Sequence, residues 1–162
     1  MNEFRLDPRT TIGHVHLKVS DIERAERFYV DLLGFHVTAR YGTDAVFLSA
    51  GDNHHDLGLN TWESKGGSPP APGTTGLFHF AILVPTRRRL AELFVRLRDA
   101  GVRFNGASDH LVSEALYLHD PDGNGIELYC DRDPSSWPRE NGGIKMATLP
   151  LDLESLLAEL DS

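Results

Sequence analysis

Two stretches of the chain repeat one pattern of apolar and polar residues. Residues 12–37 and 77–104 each open with a short alternating run, pass through a polar break, and continue with apolar residues at helical spacing. Each stretch then reaches a glycine, Gly34 or Gly101, which suits the end of a helix because glycine adopts positive φ without strain. Two copies of one strand–helix unit in 162 residues predict a domain of paired modules.

The first strand of the first copy has two chemically different faces. Its apolar face can pack under a helix that begins at Asp21, while its polar face carries His14, His16 and Lys18. A dense turn sequence at residues 120–125 predicts a hairpin between the last two strands. The pattern predicts further strands at Phe35–Arg40, Ala45–Ser49, His55–Asn60, Glu114–His119 and Gly125–Cys130.

Turn-forming residues divide the predicted domain, residues 1–162, into two modules and a tail. The tail has leucines at helical spacing, so we expect a short helix at Leu151–Leu160 that docks on this domain or on a second subunit. Strands and helices together place the domain in the α+β class. The expected parts are module one at about 12–62, a Gly/Pro-rich linker at about 63–75, module two at about 76–131 and the tail at about 132–162.

Composition restricts the possible functions. The formal net charge of −8 argues against nucleic acid or an anionic membrane as the main partner. Cys130 is the single cysteine, so an intrachain disulfide is impossible and a reducing compartment is favoured. The first ten residues lack the apolar core of a secretory signal, and no apolar run is long enough to span a bilayer. We therefore expect a soluble cytoplasmic domain that acts on small molecules.

His14 and His79 occupy the same position in the two copies, 65 residues apart. In paired modules such positions are related by a pseudo-twofold axis, so the two imidazoles can face each other. Glu127, in the last predicted strand, is the natural carboxylate to complete a two-histidine, one-carboxylate metal site. The alternative is that the histidines are hydrogen-bonded core or rim residues and that Glu127 faces solvent. One such residue alone favours this alternative, whereas three at related positions favour a metal.

Several motifs resemble those of the vicinal oxygen chelate superfamily of glyoxalases, extradiol dioxygenases and bleomycin-resistance proteins. The most specific is His110, five residues, Leu116-Tyr117, two residues, then Asp120-Pro121-Asp122-Gly123-Asn124-Gly125-Ile126-Glu127. Shorter resemblances lie at residues 14–21, 27–29, 33–35 and 53–56. Within the superfamily, the chain is most similar to type I extradiol (catechol 2,3-) dioxygenases, over nearly all residues from Ile12 to Trp137. Only Ser108 departs from the specific motif, where a small or apolar residue is usual.

The resemblance implies a fold and an activity. The fold is a cup-shaped mixed sheet of paired βαβββ modules with helices on its outer side. His14, His79 and Glu127 would bind Fe(II), or less often Mn(II), leaving positions open for a catecholate and O₂. His55 matches the acid–base histidine, while Tyr117 and His110 match groups that hydrogen-bond the substrate oxygens and the intermediate. The implied activity is extradiol cleavage of a small aromatic diol with O₂.

The other histidines and the loops have secondary roles in this interpretation. His16 would line the cup without binding metal, and His36, His54 and His119 would be structural or rim residues. The segments Trp62–Thr75 and Gly106–Val112 are expected to be loops that line the pocket. Glu114 is expected to be exposed.

Two other functions fit the same fold. A glyoxalase-like lyase or isomerase would need a fourth ligand opposite Glu127, but His54–Asn60 contains no glutamate. The only carboxylate there, Asp56, falls on the strand face opposite His55. A non-catalytic protein that binds a drug or a metabolite would leave the metal triad, His55 and Tyr117 unexplained. Because a single paired-module domain has few walls around a substrate, we expect a homodimer.

Overall fold

The computed structural model describes residues 3–161, so Met1, Asn2 and Ser162 of the predicted domain lie outside the described residues. The first half of the chain folds as strand, helix and three strands, as the repeat predicts. Its first helix continues into a π-helical segment at Arg27–Leu32. The elements are β1 (Val15–Lys18), α1 (Ile22–Glu26), β2 (His36–Tyr41), β3 (Ala45–Ser49) and β4 (Leu57–Asn60).

The second half repeats the same order of elements and adds a tail. Its unit consists of β5 (Phe80–Leu83), α2 (Arg87–Asp99), β6 (Phe104–Asp109), β7 (Ser113–His119) and β8 (Gly125–Asp131). The tail forms short 3₁₀ turns at Pro134–Ser136 and Ala158–Asp161, and the elements β9 (Arg139–Glu140), β10 (Gly143–Ile144), β11 (Leu149–Pro150) and α3 (Leu153–Leu157). Hence β1 and β5 begin 65 residues apart, which confirms the repeat.

The strands form mixed sheets in which the first strand of each unit runs parallel to the last. The first sheet has the order β1-β4-β3-β2, and the second has the order β11-β6-β7-β8-β5. In the first, His16 lies opposite Gly58; in the second, Ala81 lies opposite Glu127. Because Ala81 is 65 residues after His16, Gly58 is the structural counterpart of Glu127. The α+β class and the paired βαβββ arrangement are therefore confirmed.

The first helix begins at Asp21 as predicted, and both helical segments end at the predicted glycines. The Asp21 side chain accepts a hydrogen bond from the Arg24 backbone N–H at the start of α1, and Thr86 caps α2 in the same way. Gly34 and Gly101 have φ values of 89° and 77° after the two helical segments. The helices cover the core between them and the sheets, where Val19, Tyr29 and other large side chains are fully buried. Within residues 3–161, no helix has both the length and the apolar character needed to cross a bilayer.

Polar contacts fix the second unit against the first through the β7–β8 turn. The buried Tyr29 hydroxyl donates to Asp120 Oδ2 at 2.8 Å, and the Arg24 guanidinium binds Asp122 Oδ1 at 2.5 Å. Asp120 also accepts the backbone N–H groups of Asp122 and Asn124, so this one carboxylate holds both the turn and its contact with the π-helical segment. The motif that predicts a hairpin turn thus also joins the two halves of the molecule.

Two predictions about the second unit are wrong. Residues 104–109 form the strand β6, although Gly106–Val112 was expected to be a loop; pairing with β7 and β11 on its two sides outweighs the low strand propensity of Asn105 and Gly106. Glu114 is only 7% exposed, because Arg87 and Arg132 both bind its carboxylate, at 2.7 and 3.0 Å. Since these partners are distant in sequence, the strand pattern carries no sign of them.

Candidate active site

One face of the second sheet collects the polar residues of the specific motif. Tyr117 on β7 lies directly opposite Glu127 on β8, and His79 immediately precedes β5, which is the other neighbour of β8. Gly125 makes this approach possible, because a Cβ atom at its position would collide with the carbonyl oxygen of Phe78. The register therefore places an imidazole, a carboxylate and a phenol side by side.

These side chains form a continuous chain of polar contacts. His79 Nε2 lies 2.9 Å from Glu127 Oε2, and the Tyr117 hydroxyl lies 3.1 Å from Glu127 Oε1. The same hydroxyl is 2.6 Å from His110 Nε2, and His110 Nδ1 donates to the carbonyl oxygen of Ala147 at 2.7 Å. Because a carbonyl only accepts, Nδ1 of His110 carries a proton. The Tyr117 proton can then be donated either to His110 or to Glu127.

The phenol of Tyr117 is held in its protonated form. Burial, the negative charge of Glu127 and the hydrogen bond to that carboxylate together raise the pKa of Tyr117 to about 12. At neutral pH the hydroxyl therefore remains a donor. It can stabilise negative charge on a nearby oxygen without bringing a charge of its own.

The first sheet contributes a cluster of histidines. The rings of His14 and His55 have centroids 4.4 Å apart, and His54 lies at the same distance from His55. His54 Nδ1 and His55 Nδ1 are 2.6 Å apart, a pair that holds one proton between two nitrogens. Burial lowers the pKa of His55, and the neighbouring charges of His14, His54 and His16 lower it further. The neutral imidazole, which accepts a proton, is thereby favoured.

His16 fills the place where a fourth metal ligand would stand. Its ring lies over Gly58, where an added Cβ atom would come within 2.9 Å of the imidazole, and its Nε2 contacts the Asn60 amide at 2.9 Å. Burial and the charge of His14 lower the pKa of His16. The counterpart of Glu127 in the first sheet is thus a glycine covered by an imidazole, so this position offers no carboxylate.

The proposed ligands fall into two groups, and two of the three share a cavity. His14 and His79 both line a cavity of about 810 Å³ that also contacts residues of β1 and β5. His79 and Glu127 touch each other, whereas His14 touches His55. Across residues 3–161, no three His, Cys, Asp or Glu side chains are grouped closely enough to hold a metal ion. The donor types nevertheless suit Fe(II) or Mn(II), and two of the three converge.

Sequence reasoning missed two features of this site. The carbonyl oxygen of Ala147 holds His110, and no side-chain pattern marks a backbone acceptor in the tail. The tail reaches this position because β11 pairs with β6, where Leu149 lies opposite Asp109. The other missed feature is the pairing of His119 with Asn105 at 2.8 Å, since Asn105 was placed next to a loop.

Comparison with protein families gives a match over residues 11–128, to the Glyoxalase/Bleomycin resistance protein/Dioxygenase superfamily. The chain is 41% identical over 151 residues to a catechol-2,3-dioxygenase of Bacillus subtilis (strain 168), covering 93% of this chain and 52% of that protein. It is 35% identical over 123 residues to biphenyl-2,3-diol 1,2-dioxygenase 3 of Rhodococcus globerulus, covering 74% and 63%. The chain thus spans between half and two thirds of these relatives.

Solved structures share the fold. A glyoxalase/dioxygenase from Nostoc punctiforme superposes with a TM-score of 0.65 at 20% identity, over 82% of this chain and all of that one. A lactoylglutathione lyase from Agrobacterium tumefaciens gives a TM-score of 0.59 at 22% identity, over 76% and 96%. At these identities the likeness concerns the fold alone.

Proposed function

Since the chain belongs to the Glyoxalase/Bleomycin resistance protein/Dioxygenase superfamily, we propose that it is an extradiol ring-cleaving dioxygenase acting on a catechol-type aromatic with O₂. The names of the two dioxygenase relatives support this proposal. The structural observation that carries it is the chain of contacts His79–Glu127–Tyr117–His110, because it joins two metal-binding donors to a protonated phenol.

We assign His14, His79 and Glu127 as the residues that would hold Fe(II), with Mn(II) as the alternative. A bound ion of this kind supplies open coordination positions for the catechol oxygens and O₂. His79 Nε2 and Glu127 Oε2 lie 2.9 Å apart. A cation held by both residues would take the place of this direct contact. His14 lines a cavity that His79 also lines.

The remaining residues handle protons. His55 has a lowered pKa and is favoured as a neutral base, so it takes a proton from a catechol hydroxyl and can later return it. The Tyr117 hydroxyl donates to oxygen that becomes negative during the reaction. His110 orients that hydroxyl, and the Ala147 carbonyl fixes which nitrogen of His110 faces it. Base and donor thus come from different sheets.

The alternatives account for fewer of these contacts. A glyoxalase-like lyase with four protein ligands needs a carboxylate where Gly58 stands beneath the ring of His16. This chain is 30% identical to the glutathione transferase FosA of Serratia marcescens over 74% of its own length, so a reaction that uses glutathione is the second candidate. A non-catalytic binding protein would leave the chain of contacts through Glu127 without a function.

We also propose that the protein is a cytoplasmic homodimer. Phe78 and Leu83, beside the candidate site, are 89% and 53% exposed, and a second copy would cover such side chains. Light scattering coupled to size exclusion should give twice the chain mass of 18.0 kDa. A single-chain mass at micromolar concentration would contradict the dimer and leave the proposed chemistry unaffected.

Anaerobic reconstitution tests the proposed reaction. The protein is loaded with Fe(II) or Mn(II), then given O₂ and a panel of catechols, with metal-free protein as the control. We expect oxygen uptake and a coloured ring-opened product only in the loaded samples. No oxygen uptake with either metal, together with turnover of a glutathione hemithioacetal, would replace this proposal by the lyase.

A further inference from the structure

A second cavity lies beside the candidate site on the second sheet. It has a volume of about 340 Å³, within the usual range for small-molecule sites. His79 and Tyr117 line one part of it, and Asn105 and His119 line another. Between them lie the exposed ring of Phe78 and the strand segments at Leu118 and Ile126, whose own side chains are buried in the core. The cavity therefore joins the reactive groups to a separate polar pair.

Asn105 reaches this cavity because the β6 strand is irregular there. The pairing of β6 with β7 skips from Phe104 to Gly106, which leaves Asn105 as the extra residue of a β-bulge. A bulge turns a side chain away from regular alternation, and bulges are frequent beside active sites. Here the side chain meets His119, whose Nδ1 lies 2.8 Å from Asn105 Oδ1.

The strand register leaves room for a ring between the two polar ends. Tyr117 and His119 lie on the same face of β7, about 7 Å apart along the strand, a spacing comparable to a substituted aromatic ring. Each has a glycine as one cross-strand neighbour, Gly106 on β6 beside Tyr117 and Gly125 on β8 beside His119, while Glu127 lies on the other side of Tyr117. Because glycine has no side chain, a flat apolar ring can lie against the sheet at these two positions.

The polar pair presents hydrogen-bond donors. With Nδ1–H of His119 donated to Asn105 Oδ1, the amide points its two N–H bonds elsewhere. Such donors match an oxygen acceptor, as in a carboxylate, a carbonyl or a hydroxyl group. The described residues that line the cavity include neither lysine nor arginine, so recognition depends on the amide.

On the basis of the proposed dioxygenase function, we propose that Asn105, supported by His119, is a specificity determinant for catechols with an oxygen-bearing ring substituent. The diol end would lie toward His79 and Tyr117, and the substituent toward Asn105. His119 is a positioning residue, since it acts by fixing the amide. Carboxylate and neutral carbonyl substituents can both accept a hydrogen bond from the amide. The experiment below distinguishes between them.

The test compares substrates that differ only in the substituent. Protocatechuate and 3,4-dihydroxyacetophenone are set against 4-methylcatechol, and 2,3-dihydroxybenzoate against 3-methylcatechol. Values of kcat/KM are measured for the Fe(II)-loaded wild type and Asn105→Asp, and dissociation constants are measured anaerobically by calorimetry. Asn105→Asp keeps an acceptor for His119 but replaces the amide donor with a carboxylate. Asn141→Asp, in the exposed turn between β9 and β10, is the matched control.

We expect Asn105→Asp to lower kcat/KM and weaken binding for oxygen-substituted catechols by about tenfold, while values for methylcatechols change less than twofold. Tighter binding of protocatechuate than of the acetophenone by the wild type identifies carboxylate as the preferred substituent, and equal affinities identify a neutral acceptor. Equal effects on oxygen-substituted catechols and methylcatechols would contradict the proposed role of Asn105. The proposed ring-cleavage reaction would be unaffected by that result. If no catechol is turned over, the proposed reaction fails, and the anaerobic binding ratios still decide the subsite.

Discussion

The two sheets hold their parts of the candidate site in different ways. In the second sheet, His79, Glu127, Tyr117 and His110 are linked through polar contacts of 3.1 Å or less, and the last is tied to the Ala147 carbonyl. In the first sheet, a ring contact joins His14 to His55, and a 2.6 Å contact between ring nitrogens joins His55 to His54 near an exposed loop. The second sheet thus presents a pre-organised set of groups, whereas the first presents histidines that a ligand must fix.

This difference assigns the two halves separate tasks. Groups that stabilise charge work best when their positions are fixed before the substrate arrives, which describes Glu127 and Tyr117. A base that takes and returns a proton gains from access to solvent and to substrate, which describes His55. Loss of Glu127 from the second sheet should therefore reduce metal binding, whereas loss of His55 from the first should reduce turnover with the metal retained.

Removal of Glu127 should have the largest effect. In Glu127→Ala the central link of the bonded chain is lost, so His79 and Tyr117 lose their common partner. We expect metal affinity to fall by more than about 100-fold, because loss of a supporting residue alone costs 10- to 100-fold. Metal content after anaerobic loading measures this, with Glu140→Ala on the exposed β9 as the control. Unchanged metal content would contradict the role given to the second sheet.

His55→Ala should separate chemistry from metal binding. Since His55 is proposed as a base and not as a ligand, metal content should stay within about twofold of the wild type, while kcat falls about 10²- to 10⁴-fold. His36→Ala, an exposed histidine on β2, should leave both quantities unchanged. If the metal is lost together with turnover, His55 is a ligand.

Tyr117→Phe removes one donor and preserves the ring. We expect kcat to fall about 10²-fold with metal content retained, because one donor to a developing negative charge is lost. Oxygen-uptake rates at saturating catechol measure the effect, and Tyr41→Phe on β2 is the matched control. A change in KM alone would show that Tyr117 binds the substrate without acting on the reaction.

Tyr29→Phe tests the contact that joins the two halves. The buried hydroxyl donates to the Asp120 carboxylate at 2.8 Å, and such a bond to a charged group contributes about 1.5–3 kcal/mol. Denaturant unfolding should show a loss of that size in the free energy of unfolding, while metal content is retained. An unchanged midpoint would mean that the contact contributes nothing net.

The smallest effect should come from Asp56, which orders the loop before β4. The backbone N–H of Ala50 lowers the pKa of Asp56, and Asn53 and Ser49 add to this against an opposing effect of burial. A carboxyl whose folded pKa is depressed stabilises the fold above its ordinary pKa of 3.8, and this stability is lost as pH falls through the folded value. The wild type should therefore exceed Asp56→Asn in stability at pH 6, and the difference should shrink as pH falls below 3.8. A pH-independent difference would contradict this sign.

Much of the fold could be predicted from the local pattern of apolar, polar and turn-forming residues. The two glycine-ended helices, the alternating first strand and the turn at residues 120–125 are short-range features, so the chain itself encodes them. The pairing of Tyr117 with Glu127 follows from one hairpin, and its register was predictable from the turn between them.

Features that depend on partners distant in sequence could not be predicted from the sequence. The burial of Glu114 needs Arg87 and Arg132, which come from α2 and from beyond β8. The acceptor for His110 is a backbone atom 37 residues away in the tail. The occupation of the Gly58 site by the ring of His16 depends on the parallel register of β1 and β4. None of these is marked by the periodicity of its own segment.

The most direct test of the account is whether His14 shares an ion with the second sheet. Iron content per chain after anaerobic loading should be one for the wild type and should fall to a similar low level in His14→Ala and in His79→Ala. Full iron content in His14→Ala would contradict the account, because the ion would then belong to the second sheet alone.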